Sequence, residues 1–160
     1  MNSSFFMRTA VVLLGTWFFF SPAAAQDRAT VEDFSVHLFM IEKGELSPDV
    51  TKEPGFHSWN FSAHGEKSEL GQFHGYLISL RFVSPREVFA KGPQARIELR
   101  DIHKKGRVVR KLTVSNVYVG TGIPAHRALF IDGLDCTSVE IVVVSHGKRI
   151  VKKLPLECGE

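Results

Sequence analysis

The chain predicts an all-β protein, an antiparallel β-sandwich of immunoglobulin-like or related topology, with a closed β-barrel as the alternative. Three observations carry this. Seven or eight short runs alternate apolar and polar residues at a period of two. Turn-forming Gly, Pro, Asp and Asn separate the runs at short intervals. No stretch shows the 3.6-residue apolar period of an amphipathic helix of useful length. Strand order is not encoded in such a pattern, so sandwich and barrel both remain open.

The elements follow in order. Residues 1–25 read as an export leader: Arg8, an apolar run over residues 10–20, a Ser21-Pro22 break, then Ala23-Ala24-Ala25 before a cleavage point near Ala25. The apolar run falls well short of the roughly 20 residues a spanning helix needs. Gln26, not Cys, follows the small residues, so no acylation site is present. The expected mature chain, residues 26–160, is one domain, free in the periplasm or outside the cell, with no transmembrane segment.

Residues 26–32 are polar and read as a loose N-terminus. Over residues 34–41, Phe34, Val36, Leu38 and Met40 share one face, with Ser35 and His37 opposite. Residues 42–72 are irregular, holding Pro48, Pro54 and four glycines. Ser47-Pro48-Asp49 could open a single helical turn. His57, Trp59 and Phe61 alternate as a short strand. Residues 73–83 form a long strand with Tyr76, Ile78, Leu80 and Phe82 on one face, ended by Ser84-Pro85. Residues 95–102 set Ile97 and Leu99 against Arg96, Glu98 and Arg100. Lys104-Lys105-Gly106 turns the chain into residues 107–118. A loop over 120–124 leads to a strand over 125–131. Residues 139–145 and 149–156 make a last hairpin around His146-Gly147-Lys148.

The charge balance is nearly neutral. Lys and Arg number 20 and Asp and Glu 17, for a formal net charge of +3, and removing Arg8 with the leader lowers it by one. That is a weak field for a domain of this size, so no nucleic-acid partner is expected. The hairpins over 97–112 and 139–154 echo each other at an offset of 42: Ile97-Glu98-Leu99 matches Val139-Glu140-Ile141, and residues 107–112 match 149–154. Two copies do not make a solenoid, and both hairpins answer the same demand for a polar tip, inward apolar residues and outward Lys and Arg.

Cys136 and Cys158 lie the same distance from Gly147, and a register centred there sets them opposite each other. A structural disulfide is the expectation; it would close a loop of roughly twenty residues, worth about 3 kcal/mol on the chain-entropy account. There is no Cys-x-x-Cys and no flanking basic residue, so a redox role is disfavoured.

The seven histidines contain no His-x-His or His-x-x-x-His pair, so no element offers two metal ligands at working spacing. No cofactor is expected, and His57, His64 and His74 are the alternative metal set. Gly-x-Ser-x-Gly is absent and no carboxylate pair takes acid and base roles. Candidate contact residues are Phe56, Trp59 and Phe61, on the loop over residues 44–71.

Leu46-Ser47-Pro48-Asp49, Trp59-Asn60, Gly65-Glu66 and the terminal Cys158-Gly159-Glu160 resemble a group of small, exported, β-rich proteobacterial proteins of unknown function. The resemblance implies export and a β-rich fold and transfers no functional residue. The reading is a non-enzymatic binding or structural protein that contacts an envelope protein or cell-wall component through the loop over 44–71. A histidine-based metal-binding protein is the alternative.

Overall fold

The computed structural model describes residues 28–40, 43–53, 58–60, 73–132, 134 and 137–158. The molecule is an all-β sandwich. Strands β1 (Thr30–Met40), β2 (Glu45–Leu46), β3 (Ser58–Asn60), β4 (Phe73–Val83), β5 (Val88–Asp101), β6 (Arg107–Val119), β7 (Ala125–Ile131), β8 (Val139–Ser145), β9 (Lys148–Leu154) and β10 (Leu156–Cys158) follow in sequence. The first sheet has the order β2-β1-β4-β7 and the second β6-β5-β8-β9, with β10 and β3 as a separate two-stranded pair. Pairing is antiparallel throughout both four-stranded sheets and parallel in the small pair.

The connections identify the topology. The long strands β1, β4 and β7 make one layer, and β9, β8, β5 and β6 the other. The chain crosses between layers after β4, after β6 and again after β7. This is an immunoglobulin-like arrangement in which the fourth long strand lies beside the third on the second sheet.

The inward faces are those the alternation predicts. Phe34, Val36, Leu38, Tyr76, Ile78, Leu80 and Phe82 from the first sheet meet Ile97, Leu99, Val139, Ile141 and Val143 from the second in one core. Two strands begin earlier than their patterns suggest. β1 starts at Thr30, because Ala29 and Val31 are fully buried and a register shift between Val31 and Asp33 turns Val31 inward. β5 starts at Val88, where Val88 and Ala90 are buried and shifts around Pro93 break the alternation that a sequence pattern would show.

The segment after β1 is not a helical turn. It is a strap along the free edge of β1. Ser47 N–H donates to Leu38 O at 2.9 Å and Val50 N–H to Val36 O at 2.9 Å. In return Leu38 N–H donates to Ser47 Oγ at 2.8 Å and Val36 N–H to Asp49 Oδ1 at 3.0 Å. Short polar side chains thus satisfy an edge that would otherwise offer backbone groups to another strand.

The echoed hairpins sit side by side, with their inner strands β5 and β8 paired antiparallel. Leu99 pairs with Ile141, its own equivalent at the offset of 42, so the echo relates the hairpins by a local twofold through that pair. The β8–β9 turn is tighter than the sequence centre at Gly147 implies. Ser145 pairs with Lys148, leaving His146 and Gly147 at φ +47° and +84°, as a two-residue type I′ turn requires.

Candidate functional site

Most of the sequence-predicted site lies outside the described residues: Phe56, His57, Phe61, His64 and Cys136. Trp59 is placed by its backbone in β3, opposite Glu157 of β10, and His74 by its backbone in β4. Cys158 pairs with Asn60 in the β10–β3 ladder. The β8–β9 ladder ends at Val139 and Leu154, short of both cysteines, and the expected Cys136–Cys158 bridge falls outside the described residues with Cys136. Within the loop over 44–71, residues 47–50 serve as the strap on β1, and Leu46 is the described residue that projects an apolar side chain to solvent.

What the fold builds is two unlike outer faces. On the first sheet, cross-strand registers define rows. Leu46, Phe39 and Gly75 lie side by side on β2, β1 and β4; His37, Leu77 and Phe130 form the next row across β1, β4 and β7. Ser35, Ser79 and Ala128 follow, then Asp33, Arg81 and His126. Phe39, Leu46 and Phe130 are 37%, 48% and 48% exposed. A Cβ at Gly75 would sit 2.5 Å from Phe130 Cζ and 2.8 Å from Ile131 O. The glycine is thus what lets the Phe130 ring lie across β4.

The same face holds a serine–histidine contact that sequence reasoning missed. His37 Nδ1 lies 2.8 Å from Ser47 O, and Ser35 Oγ lies 2.7 Å from His37 Nε2. With Nδ1–H donating to the carbonyl, Nε2 accepts from the hydroxyl. The spacing is that of a nucleophile and base, but both residues sit on an open sheet face, and the imidazole's partner is the strap. Its role is to fasten the strap to β1.

The outer face of the second sheet is charged. Its rows read Arg149, Val144, Arg96, Thr113; then Val151, Val142, Glu98, Lys111; then Lys153, Glu140, Arg100, across β9, β8, β5 and β6. Glu98 is recessed, with its side chain 10% exposed, whereas Arg96 is 61% exposed. Arg100 Nε and Nη2 donate to Glu98 Oε2 at 3.1 and 2.6 Å, and Arg96 Nε lies 3.5 Å from Oε1. The Arg100 hydrogen bond, against opposing desolvation and with the charges of Arg100, Arg96 and Lys111, holds the Glu98 carboxyl below its ordinary pKa. Arg96-x-Glu98-x-Arg100 was legible in the sequence as one strand face; the recession of the carboxylate was not.

At the end of the sandwich, Phe89 and Tyr118 face each other across β5 and β6, both about half exposed. Tyr118 Oη donates to Glu87 Oε1 at 2.7 Å, and that bond, with desolvation and the Glu87 charge, raises the phenol pKa.

Between the sheets, Lys152 of β9 reaches β1. Its Nζ donates to Phe34 O, lies 3.2 Å from Asp33 Oδ1 and 3.9 Å from Asp49 Oδ2, and stands 4.8 Å from the Phe34 ring centroid. Burial pushes the Asp49 carboxyl up. Hydrogen bonds from Val36 N–H and from Thr51 Oγ1 and N–H, with the Lys152 charge, outweigh it and hold the group below its ordinary pKa. Among the described residues no helix is long and apolar enough to cross a membrane, and no three His, Cys, Asp or Glu converge as metal ligands.

No family model and no curated protein matches the chain. Among solved structures, the chain is similar to the ligand-binding region of serine-glutamate repeat protein A (SgrA) of Enterococcus faecium. The identity is 12% over 52% of this chain and 83% of that one, with a TM-score of 0.29, a likeness that carries no argument about function.

Proposed function

We propose that this protein is an exported, non-enzymatic binding module that docks an envelope protein on the outer face of its first sheet. One observation carries the reading: Leu46, Phe39, Leu77 and Phe130 form an apolar stripe over all four strands, and three of them stand well out to solvent. Outward positions of a single-core sandwich are ordinarily polar, so a contiguous apolar stripe marks a contact surface. Leu46 lies within the loop over 44–71 that the sequence nominates, so the contact includes the start of that loop and extends it onto the sheet. The stripe runs across four strands on an outer sheet face, which suits a protein partner better than a small molecule.

A photo-crosslinking residue placed at position 39 or 46 in the exporting cell should give the same discrete protein adduct, whereas placement at 113, on the other sheet, should not. Indistinguishable adduct patterns from the two faces would end the reading.

A further inference from the structure

The outer face of the second sheet plays no part in that contact and has its own chemistry. Its three rows carry five cations, Arg96, Arg100, Lys111, Arg149 and Lys153, against two carboxylates, Glu98 and Glu140. The net of +3 on this one face equals the formal charge of the whole sequence. The charges are also layered. The side chains of Glu98 and Glu140 are 10% and 28% exposed, while those of Arg96 and Arg149 are 61% and 53% exposed. Anything approaching from solvent meets cations first. Glu98 takes hydrogen bonds from Arg100 and pairs with Arg96, which steadies two guanidinium groups four residues apart on one strand.

We infer that this face binds a linear anionic polysaccharide. Arg96 and Arg149 start two strands apart, about 9.6 Å, as do Arg100 and Lys153, and the two rows are about 13 Å apart along the strands. Lys111 stands between them on the edge strand. An extended chain lying flat on the sheet can pair its sulfate or carboxylate groups with these guanidinium and ammonium groups. Other polyanions fit less well. A duplex groove admits a helix or a two-stranded ribbon, not a four-stranded face. Single strands need aromatic platforms interleaved with the cations, and these three rows contain none; the exposed pair Phe89 and Tyr118 lies at the far end of β5 and β6, beyond the register shifts around Pro93. An acidic membrane surface favours a large apolar group to insert; here Val142 is 1% exposed, and the exposed apolar side chain two residues from Lys111 on the edge strand, Val109, is a small one.

The test is retention on immobilised heparin, a sulfated glycan, over a salt gradient. The paired variants are Arg96→Gln/Arg149→Gln on the face and Lys43→Gln/Lys91→Gln outside it, which change net charge equally. The wild type should be retained at about 150 mM salt. The face variant should elute earlier, with its salt slope reduced by about two, while the control elutes with the wild type. Both variants are checked for an unchanged urea midpoint. Duplex DNA and anionic phospholipid vesicles serve as parallel probes. Equal shifts in the two variants, no retention of the wild type, or tighter binding to DNA or vesicles than to heparin would each overturn the inference. Phe39→Ser should leave heparin retention unchanged, so failure here and failure of the first-sheet contact are separable.

Discussion

The two open sides of the sandwich are closed by equivalent residues in very different settings. Lys152 on β9 and Arg110 on β6 correspond at the offset of 42, and they pair with Ile141 and Leu99, the two residues on the local twofold. Each sits on the inward parity of an edge strand and reaches toward the first sheet. Lys152 is 17% exposed and meets Asp33, Asp49, the Phe34 carbonyl and the Phe34 ring. Around it, Val31 N–H donates to Ser145 Oγ at 3.2 Å, and Lys148 Nζ to Glu32 O at 2.7 Å. Arg110 is 39% exposed, and its carboxylate partner, Asp132, lies 3.6 Å away and is 65% exposed. Further along the same flank, Arg127 donates to Asn116 O at 3.3 Å, also at the surface. Equivalent positions thus yield a buried clasp on one flank and a solvated ion pair on the other. Burial, more than charge, sets what each is worth.

Three substitutions would break or sharpen that contrast. Lys152→Met keeps the aliphatic stem but removes the less exposed of the two cations beside Asp49, leaving the largely exposed Lys52 at 3.7 Å from Oδ2, an oxygen that already lacks a hydrogen-bond partner. It should cost about 2–3 kcal/mol in urea unfolding, below the full cost of breaking a deeply buried pair because some solvent reaches both groups. Asp49→Asn should cost less, about 1–2 kcal/mol, and should also change the pH response. The folded-state pKa of Asp49 is depressed, so its contribution is fully present above the ordinary aspartate value and is lost as pH falls through the lowered folded value. Stability of the native chain should therefore decline below about pH 4. Glu98, whose pKa is also lowered, adds to the decline in the same direction. Asp49→Asn should flatten the acid limb of a stability–pH profile, and an unchanged limb would show that the carboxylate is not held as described. Arg110→Ala should change stability by less than about 0.5 kcal/mol, because an exposed pair is screened by water and salt. A cost comparable to that of Lys152→Met would remove the distinction between the flanks.

The outer faces carry a parallel lesson about what a sequence displays. The alternation in residues 73–83 and 95–102 was sufficient to name inward residues correctly, because side-chain direction in a strand depends only on local period. It failed at Thr30 and Val88, where bulges shift the period, and at residues 47–50, where a Ser-Pro-Asp sequence suited to a helix start became an edge strap. In that strap the competing partner was the unpaired backbone of β1, which no local propensity can represent. The site was less legible than the fold. Phe39, Leu46, Leu77 and Phe130 are scattered over some ninety positions of sequence and become one stripe only through registers set by the sheet. Arg96, Arg149 and Lys153 become one face in the same way.

By itself, then, the order of residues determined that the described part of this chain is all-β, where most of its turns fall, and which side chains of the unbulged stretches point inward, since these follow from a two-residue repeat and from backbone preferences at turns. Tertiary structure alone decided which strands became neighbours, which of two equivalent cations was buried, and how distant residues merged into an apolar face and a basic one. Those outcomes depend on closing long stretches of chain so that two sheets share a single core, and the free energy of that closure belongs to contacts far apart in sequence.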